Sequence, residues 1–346
     1  MQYSIQRYLL LGFVTLVIVG VLTPVMRSIA MKVGAFDAPN MSRKIQKEPV
    51  PYLGGVAISI GVVVVSYSAL LYADNSMHTF ALASTVLLPA IAISAMGLFD
   101  DLKGLEPWPR LAAQTGAGLI VSLALISTNT LGTPFNNIII DGIVTTLWIV
   151  GVCNSINFFD NLDGGAAGTV AVISIFLFLI AFDSDQLLIS AMAIVTAGAT
   201  IGFLFWNRAP AKIYMGDAGA LFLGVIISVM TIRLDPKLLS RELAVAVPLA
   251  LMAVPIMDTT VAVCSRIKRG ISPFEGGRDH LSHRLMRIGF GRRRTALALW
   301  SLTAIFGADA YVIYKWPVHF GFPFAAYGVF LWVLLLILFF WIPSTD

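Results

Sequence analysis

Long apolar segments recur along almost the whole chain, and they constrain its fold more than any other feature. A helix of roughly 20 apolar residues is long enough to cross the hydrocarbon core of a bilayer. The chain contains eleven such segments, at approximately 6–28, 53–73, 80–99, 110–128, 143–159, 168–183, 186–206, 218–232, 242–264, 295–314 and 322–342. Only 12% of the 346 residues are charged, about half the share in a soluble domain. The sequence therefore predicts an all-α polytopic membrane protein with ten or eleven transmembrane helices.

The polar stretches between these segments are short. The longest, 265–294, holds too few residues to bury a core of its own. The first apolar segment has neither the short apolar region nor the small-residue cleavage site of a signal peptide, so we expect it to be kept as a span. The expected organisation is one integral membrane domain over 1–346, with core motifs at 32–290 and C-terminal spans at 295–342.

Basic residues are distributed very unevenly over the loops. With eleven spans, alternate loops lie on opposite sides of the membrane, and one set holds all but five of the 23 Lys and Arg residues. The five exceptions are Arg7, Arg233, Lys237, Arg241 and Lys315. Because short loops rich in Lys and Arg stay in the cytoplasm, we expect the N-terminus outside and the C-terminus inside. The charge pattern is that of a protein whose partner is the bilayer, and it predicts no nucleic-acid partner.

Acidic residues gather at the ends of apolar segments on the predicted cytoplasmic side. Asp100 and Asp101 close the third segment, Asp217 opens the eighth, and Asp258 lies inside the ninth. Burying an unpaired carboxylate in a membrane is costly, so such acids are usually paired or functional. Asp100 and Asp101 can share one Mg²⁺ or Mn²⁺, or one can bind the metal while the other handles a proton. Helix capping is the alternative for Asp217, and pairing with a base is the alternative for Asp258.

A regular strip of polar side chains ends the fifth segment. Asn154, Asn157, Asp160 and Asp163 are spaced by three residues, which places them along one side of a helix. Four polar groups on an otherwise apolar helix need polar partners. The strip is therefore expected either to line a polar site or to form a hydrogen-bonded seam between helices. Gly164 and the glycines after it allow a tight bend at the end of the strip.

Basic side chains in two of the cytoplasmic loops are suited to phosphate. Arg43 and Lys44 lie beside a rigid frame of prolines and glycines, and Lys212 lies shortly before Asp217. Each of these side chains can hold a phosphate group. The alternative is that they only anchor their loops at the cytoplasmic face.

The segment after the ninth span predicts a short amphipathic helix at 280–288. His280, His283 and Arg284 fall on one side of it, and an apolar stripe lies beside them. Asp279 or a preceding glycine is expected to cap the helix, which would lie on the membrane surface. The two histidines do not have the spacing of a zinc-binding pair. Two histidines beside an arginine suit the recognition of a pyrophosphate group.

Together, these five polar segments resemble those of the polyprenyl-phosphate N-acetylhexosamine-1-phosphate transferases. That family includes enzymes that start O-antigen and wall teichoic acid linkage units, and it is related to the phospho-N-acetylmuramoyl-pentapeptide translocase of peptidoglycan synthesis. The resemblance runs in order from about residue 30 to 290. Two departures stand out. Gln46 takes the place of a histidine in the first loop, and His280-Leu-Ser-His283 replaces the three consecutive histidines of the translocase branch. The second departure favours the amino-sugar branch.

The residue patterns and the resemblance together give one set of expected site residues. The expected metal ligands are Asp217, Asp100, Asp101, Asn157 and Asp160. The expected catalytic residues are Asp100, Asp101 and Asp160. The expected substrate-binding residues are Arg43, Lys44, Asn154, Asn157, Asp163, Lys212, His280, His283 and Arg284. The resemblance implies Mg²⁺ as the metal, with Mn²⁺ as a substitute, and a loop containing both histidines that closes over the diphosphate of the donor.

The resemblance also implies the reaction and its location. A UDP-sugar, expected to be UDP-N-acetylglucosamine, and a polyprenyl phosphate would give polyprenyl-diphospho-N-acetylglucosamine and UMP. This would be the first membrane step of a cell-envelope glycan, at the cytoplasmic face of a bacterial inner membrane. Another UDP-amino sugar or UDP-N-acetylmuramoyl-pentapeptide is the alternative donor. The lipid-facing helices would also allow a homodimer, because lipid-exposed and dimer faces have similar composition.

Three other classes of membrane protein fit the sequence less well. A secondary transporter would show repeats and charges near the bilayer midplane, whereas the chain shows no repeat and its acids lie at one face. An intramembrane aspartyl protease needs a pair of carboxylates within the membrane, and Tyr214 stands where a Gly-x-Gly-Asp signature would have its first glycine. A non-catalytic scaffold would not need so many acids, amides and histidines on one face.

Overall fold

A computed structural model describes residues 4–37, 49–72, 77–273 and 276–344. In these ranges the chain is almost entirely helical. Its helices are α1 Ile5–Val33, α2 Gly54–Tyr72, α3 Met77–Lys103, α4 Pro107–Ser127, α5 Ile138–Phe159, α6 Gly165–Asp183, α7 Leu187–Asn207, α8 Gly216–Arg233, α9 Arg241–Leu251, α10 Ala253–Lys268, α11 Leu281–Arg287, α12 Arg292–Lys315 and α13 Phe322–Trp341. A π-helical turn, Pro317–Gly321, leads into α13. Two-residue strands, β1 Phe36–Asp37 and β2 Val50–Pro51, pair antiparallel.

Ten of the described helices are long and apolar enough to cross a membrane, and the bent pair α9 and α10 makes eleven if it is counted as one span. The all-α polytopic fold predicted from the apolar segments is therefore confirmed. Helix ends differ by several residues from the predicted ones. For example, α5 begins at Ile138 because the side chain of Asn137 accepts hydrogen bonds from the backbone of Ile139 and Ile140, at 3.0 and 3.2 Å, so capping starts the helix ahead of its apolar run.

The ninth apolar segment, predicted as one span over 242–264, is divided into two helices. Helices α9 and α10 meet at Met252 with a bend of 70°. In an unbroken helix the carbonyl of Leu251 would accept a hydrogen bond from the residue four positions later. That residue is Pro255, which has no N–H group, so the helical ladder is interrupted there.

Helix α8 lies at the centre of the bundle. Almost all of its residues are buried, and it packs against α2, α3 and α5. The crossing with α2 is very close: a Cβ atom added to Gly55 would lie 2.1 Å from the backbone nitrogen of Gly219. Only glycine allows this approach. The crossing fixes the N-terminal end of α8, which carries Asp217, against neighbouring backbone.

Several helix ends meet at one face of the bundle. Helices α3, α5 and α7 end there, and α6, α8 and α12 begin there, and side chains at or near these ends line a common cavity. This is the face on which alternating loops placed the acidic segments. The predicted gathering of polar segments on one side is therefore seen in the fold.

Candidate active site

An open cavity of about 520 Å³ lies among these helix ends. Seven residues expected at the site line it, namely Asp101, Asn157, Asp160, Asp163, Asp217, His280 and His283. Ten further residues complete its lining: Tyr52, Phe158, Asn161, Leu162, Asn207, Tyr214, Gly216, Gly276, Gly277 and Arg292. Segments far apart in sequence thus form one polar cavity.

Asp101 binds the N-terminal end of α8. Its Oδ1 accepts a hydrogen bond from the backbone N–H of Asp217 at 3.0 Å, and its Oδ2 accepts one from Ala218 at 3.1 Å. These N–H groups belong to the first turn of α8, where helices leave donors unsatisfied. Gly216, with a φ of +71°, makes room for this contact, since a Cβ there would lie 2.6 Å from Asp101 Oδ2. Asp101 therefore caps α8 from a different helix.

Asp100 and Asp217 share one arginine. Arg110 donates to Asp100 Oδ2 at 2.7 Å and to Asp217 Oδ2 at 3.3 Å. The amide of Asn157 donates to the other oxygen of Asp217, at 2.9 Å. Asp100 is buried and does not line the cavity. It holds Arg110 in place, and Arg110 and Asn157 together orient the Asp217 carboxylate.

Asp160 differs from the other acids because no group in the described ranges hydrogen-bonds its carboxylate. It is the residue that follows the last turn of α5 and lines the cavity. Burial raises the pKa of Asp160 to about 7, and the nearby carboxylates of Asp217 and Asp163 add to the shift. An acid with this pKa can take up and release a proton near neutral pH.

Asp163 ties two loops together at the edge of the cavity. Its Oδ2 accepts hydrogen bonds from the backbone N–H of Ala211 at 3.1 Å and from Arg292 at 3.3 Å. Asn207 makes a similar bridge: it accepts from Gly164 N and donates to the carbonyl of Ile213, both at 3.0 Å. These contacts fix the turn between α5 and α6 against the segment that leads into α8.

The polar strip on the fifth segment was predicted to be one continuous helical row, and this is wrong beyond Phe159. Helix α5 ends there, and the chain then turns through Gly164, which has a φ of +73°. Asn157 lies inside the helix, whereas Asp160 and Asp163 lie in the turn. Asn154 is helical but does not line the cavity: its amide donates to Gln114 Oε1 and to the carbonyl of Val150.

A buried network orients His280. Its Nδ1 lies 2.7 Å from Asp258 Oδ2, and its Nε2 lies 3.1 Å from a guanidinium nitrogen of Arg266. Arg266 can only donate, so Nε2 is the acceptor and Nδ1–H donates to Asp258. Arg266 in turn pairs with Asp279 at 2.9 Å. Asp258 is thus paired with a base, as one of its two alternatives predicted, and both ring nitrogens of His280 are engaged.

The His-containing helix is α11, one residue shorter at each end than predicted. Neither Asp279 nor a glycine caps it. His280 is the N-cap residue, its side chain makes no cap hydrogen bond, and Asp258 Oδ1 accepts from the backbone N–H of Leu281 at 2.7 Å. The first turn of α11 is therefore held by an acid from α10.

The predicted separation of polar and apolar sides of this helix is incorrect at Arg284. Arg284 is buried and donates to the carbonyls of Phe339, at 2.8 Å, and Ile342, at the end of α13. It does not line the cavity. His283 does line it, and burial, with His280 as its neighbour, lowers the pKa of His283 to about 4. His283 is therefore neutral at neutral pH.

The remaining basic residues expected to bind substrate lie elsewhere. The ammonium group of Lys212 lies over the ring of Trp206, 5.4 Å from its centre, and Lys212 does not line the cavity. Arg43 and Lys44 lie outside the described residues. Their roles stay predictions.

The cavity offers oxygen donors of the kind that Mg²⁺ prefers. Asp101, Asp160, Asp217 and Asn157 line it. No three acidic, histidine or cysteine side chains of the described ranges are already arranged as a metal-ligand set. Mg²⁺ does not need such a set, because it is usually held by one or two carboxylates, water and substrate phosphates. The donor set therefore fits the expected ion, and a cation there would offset the repulsion among the acids.

Sequence reasoning missed several residues of the cavity and its support. Arg292 and Phe158 line the cavity, but the sequence analysis did not include them among the expected site residues. Arg266 could have been found from the helical spacing that places it on the same side of α10 as Asp258. Nothing in the sequence pairs that side with His280, which is a long-range contact.

Comparisons with known proteins identify a family and several relatives. Residues 83–235 match the family described as glycosyl transferase family 4. The chain is 32% identical over 314 residues to a probable undecaprenyl-phosphate N-acetylglucosaminyl 1-phosphate transferase of Bacillus subtilis, covering 89% of this chain and 85% of the relative. It is 30% identical over 345 residues to a decaprenyl-phosphate N-acetylglucosaminephosphotransferase of Mycolicibacterium smegmatis, covering 90% and 83%.

A phospho-N-acetylmuramoyl-pentapeptide-transferase of Streptococcus thermophilus is also similar. It is 28% identical over 214 residues, which cover 56% of this chain and 62% of that relative. The two relatives named before it match over much more of the chain and with higher identity. The fold, the cavity and these relatives together show that the chain belongs to the polyprenyl-phosphate N-acetylhexosamine-1-phosphate transferases of glycosyl transferase family 4.

Proposed function

We propose that this protein transfers N-acetylglucosamine 1-phosphate from UDP-N-acetylglucosamine to undecaprenyl phosphate or a similar polyprenyl phosphate. The products are polyprenyl-diphospho-N-acetylglucosamine and UMP. The observation that carries the proposal is the acid-lined cavity where the ends of six helices meet at one face of the bundle. Its support is that the Bacillus and Mycolicibacterium relatives, which match nearly the whole chain, have names that specify this sugar phosphate and a polyprenyl acceptor.

The reaction exchanges one phosphorus–oxygen bond for another. An oxygen of the lipid phosphate forms a bond to the phosphorus that carries the sugar, and the bond from that phosphorus to the bridging oxygen breaks. The bridging oxygen leaves with UMP. Both substrates are anionic, so the site must bring negative groups together and hold them in line. Mg²⁺, when bound, supplies positive charge to the diphosphate and stabilises the leaving oxygen.

Asp217 is the acid best placed to hold the metal. Its carboxylate faces the cavity, and Arg110 and Asn157 fix its orientation through hydrogen bonds of 3.3 and 2.9 Å. Asp101 holds the N-terminal end of α8, since its two oxygens accept the backbone N–H groups of Asp217 and Ala218. Asp100 acts one step further away, through Arg110.

Asp160 is the acid best suited to handle a proton. Its carboxylate lines the cavity and has no hydrogen-bond partner among the described residues. It can therefore accept the proton of a lipid phosphate that arrives in its singly charged form. His283 and Arg292 face the same cavity and are placed to contact the diphosphate or the nucleotide of the donor.

We further propose that the cavity opens to the cytoplasm of a bacterial inner membrane, with the N-terminus outside. The support is the distribution of basic residues, since nearly all of them lie in loops on the cavity side. The lipid phosphate reaches the site from the bilayer and the nucleotide sugar from the cytoplasm. A site at the helix ends can be reached by both substrates.

The test is transfer of label from radioactive UDP-N-acetylglucosamine to undecaprenyl phosphate, by purified protein with Mg²⁺ and with excess EDTA. The proposal predicts labelled lipid and UMP with Mg²⁺, and at least a 100-fold lower rate with EDTA. In membrane vesicles, label should be transferred in inverted vesicles and not in intact right-side-out ones, because the donor does not cross the membrane.

The outcomes separate the parts of the proposal. Transfer from another UDP-amino sugar or from UDP-N-acetylmuramoyl-pentapeptide, but not from UDP-N-acetylglucosamine, would replace the sugar and keep the reaction. Transfer that is unaffected by EDTA would contradict the proposed requirement for Mg²⁺. Transfer only in right-side-out vesicles would reverse the orientation.

A further inference from the structure

We propose that the membrane-spanning part of the protein contains a second binding site, around Asp309, for a lipid-soluble primary amine. The proposal is independent of the transferase reaction. It depends on a cavity between helices and on an acid that has no partner there.

The cavity has a volume of about 260 Å³ and lies between α9, α10, α12 and α13. Apart from Asp309, its lining is made of aliphatic and aromatic side chains and one glycine. Leu249 and Val329 stand at its rim, and they are 46% and 66% exposed on the outer surface of the bundle. The cavity can therefore be entered from the hydrocarbon phase of the membrane.

Asp309 lines this cavity with its carboxylate unpaired. The residue is only 4% exposed, and neither of its oxygens has a hydrogen-bond partner among the described residues. The carboxylate packs against α13, since a Cβ atom added to Gly328 would lie 2.4 Å from Asp309 Oδ2. Buried carboxylates normally have partners, and an unpaired one in a membrane is costly and a functional candidate.

The site is remote from the catalytic cavity. Arg292 lines the catalytic cavity at the start of α12, and Asp309 lies about 25 Å further along the same helix at 1.5 Å per residue. Lys315 ends α12 but is paired with Asp183 at 2.6 Å. The carboxylate therefore belongs to neither the acids of the active site nor the ion pair at the helix end.

The chemistry of the carboxylate selects the ligand. Burial disfavours the ionised form of a carboxylate unless a cation pairs with it. The ionised form only accepts hydrogen bonds, through two oxygens, so a ligand that stabilises it must donate. An alkylammonium group has three N–H donors and a positive charge, whereas an alcohol has one donor and no charge. The attraction between opposite charges is stronger in an apolar cavity than in water. The apolar walls match an alkyl chain, so the ligand is a primary amine on an apolar body.

The experiment uses the full-length protein in nanodiscs of phosphatidylcholine. The probes are a bromoalkylamine and the bromoalkanol of equal chain length, because bromine quenches the fluorescence of tryptophans nearby and Trp332 lines the cavity. We expect saturable quenching by the amine at a concentration at least tenfold below that for the alkanol. Trp332→Phe should remove most of the saturable signal.

Two variants make the result specific. Asp309→Asn keeps the shape of the side chain and should remove the preference for the amine. Ala250→Leu keeps the acid but fills the cavity, and it should weaken amine binding at least tenfold. Asp309→Asn should also unfold at the same or a higher temperature, because the carboxylate has no hydrogen-bond partner to lose among the described residues, and its transferase rate should be unchanged.

Three results would overturn the proposal. One is equal quenching by amine and alkanol in the wild-type protein, which would indicate simple partitioning into the bilayer. Another is a preference for the amine that persists in Asp309→Asn. The third is a large loss of thermal stability in Asp309→Asn, which would mean that the carboxylate already has a structural partner.

Discussion

At the scale of single residues, the acids of the cavity perform different tasks although the sequence presents them as equals. Asp101 accepts two backbone N–H groups of α8, and Asp163 holds a loop and Arg292. Asp100 pairs with Arg110. Asp160 alone keeps a carboxylate without a hydrogen-bond partner in the described ranges. A carboxylate with free oxygens can meet the substrate directly, whereas the oxygens of Asp101 and Asp163 are engaged in holding backbone groups and Arg292.

Asp160→Asn is therefore expected to remove activity and leave the fold intact. The transfer rate should fall about 100-fold or more, which is the usual contribution of a general base. The melting temperature should stay the same or rise, because repulsion with Asp217 and Asp163 is relieved. Rate assays and thermal unfolding in detergent test this. Asp163→Asn is the matched control and should lower the melting temperature, and a fully active Asp160→Asn would contradict the assignment.

Asp258→Asn tests the network behind His280. The substitution weakens a buried contact of 2.7 Å and leaves His280 without its carboxylate partner, so we expect a loss of about 1–3 kcal/mol in the free energy of unfolding. Activity should fall as well, because the His280 ring loses its fixed orientation. The control is Asp183→Asn, which breaks the partly exposed pair with Lys315 and should cost less than about 1 kcal/mol. Equal losses of stability in the two variants would show that the buried contact of Asp258 with His280 contributes no more than the partly exposed pair does.

His283 should make stability depend on pH. Its pKa in the folded protein is about 4, below its ordinary value of 6.5, because of burial and the neighbouring His280. Between these two values the unfolded chain binds more protons than the folded protein, so stability falls as pH drops from 6.5 towards 4. In His283→Gln this contribution is absent, and the melting temperature should fall less over that interval. If the melting temperatures of the wild-type protein and His283→Gln fall equally between pH 6.5 and 4, the pKa shift of His283 is contradicted.

At the scale of helices, the sequence predicts which helices exist better than it predicts where they end, where they break and which helices they pack against. The spans could be predicted because each apolar run is long enough to cross a bilayer. The break at Met252 was missed, although Pro255 carries the signal for it, since proline also occurs inside the unbroken helices α1 and α3. Contacts such as Arg110 with Asp217 join residues far apart in the chain, and no local pattern encodes them.

The crossing of α2 and α8 gives a test at this scale. Gly55→Ala places a methyl group against the backbone of Gly219 and should force the helices apart. We expect a loss of about 1–3 kcal/mol in stability, as for other overpacked sites, and a loss of activity because Asp217 moves with α8. Gly151→Ala is the control, since nothing lies within 4 Å of a Cβ there. A Gly55→Ala protein as stable and active as the control would show that the crossing is not tight.

At the scale of the whole molecule, the bundle brings six helix ends to one face, and the proposed site for two anionic substrates lies there. The general location of the site could be predicted from sequence, because the acids and the basic loops alternate with the spans in a fixed order. The division of roles among the acids could not, because it depends on which backbone groups and side chains each carboxylate meets. Dimerisation stays a prediction.

The measurement that tests the central claim most directly follows two labels in one substrate. UDP-N-acetylglucosamine carrying ³²P at the sugar-linked phosphate and ¹⁴C in the sugar is incubated with the protein, Mg²⁺ and undecaprenyl phosphate. Transfer of the sugar 1-phosphate predicts both labels in the lipid at the ratio of the donor, with release of unlabelled UMP. Transfer of ¹⁴C alone, with ³²P left in released UDP, would contradict the account, because the bond broken would then be the one between the sugar and its phosphate.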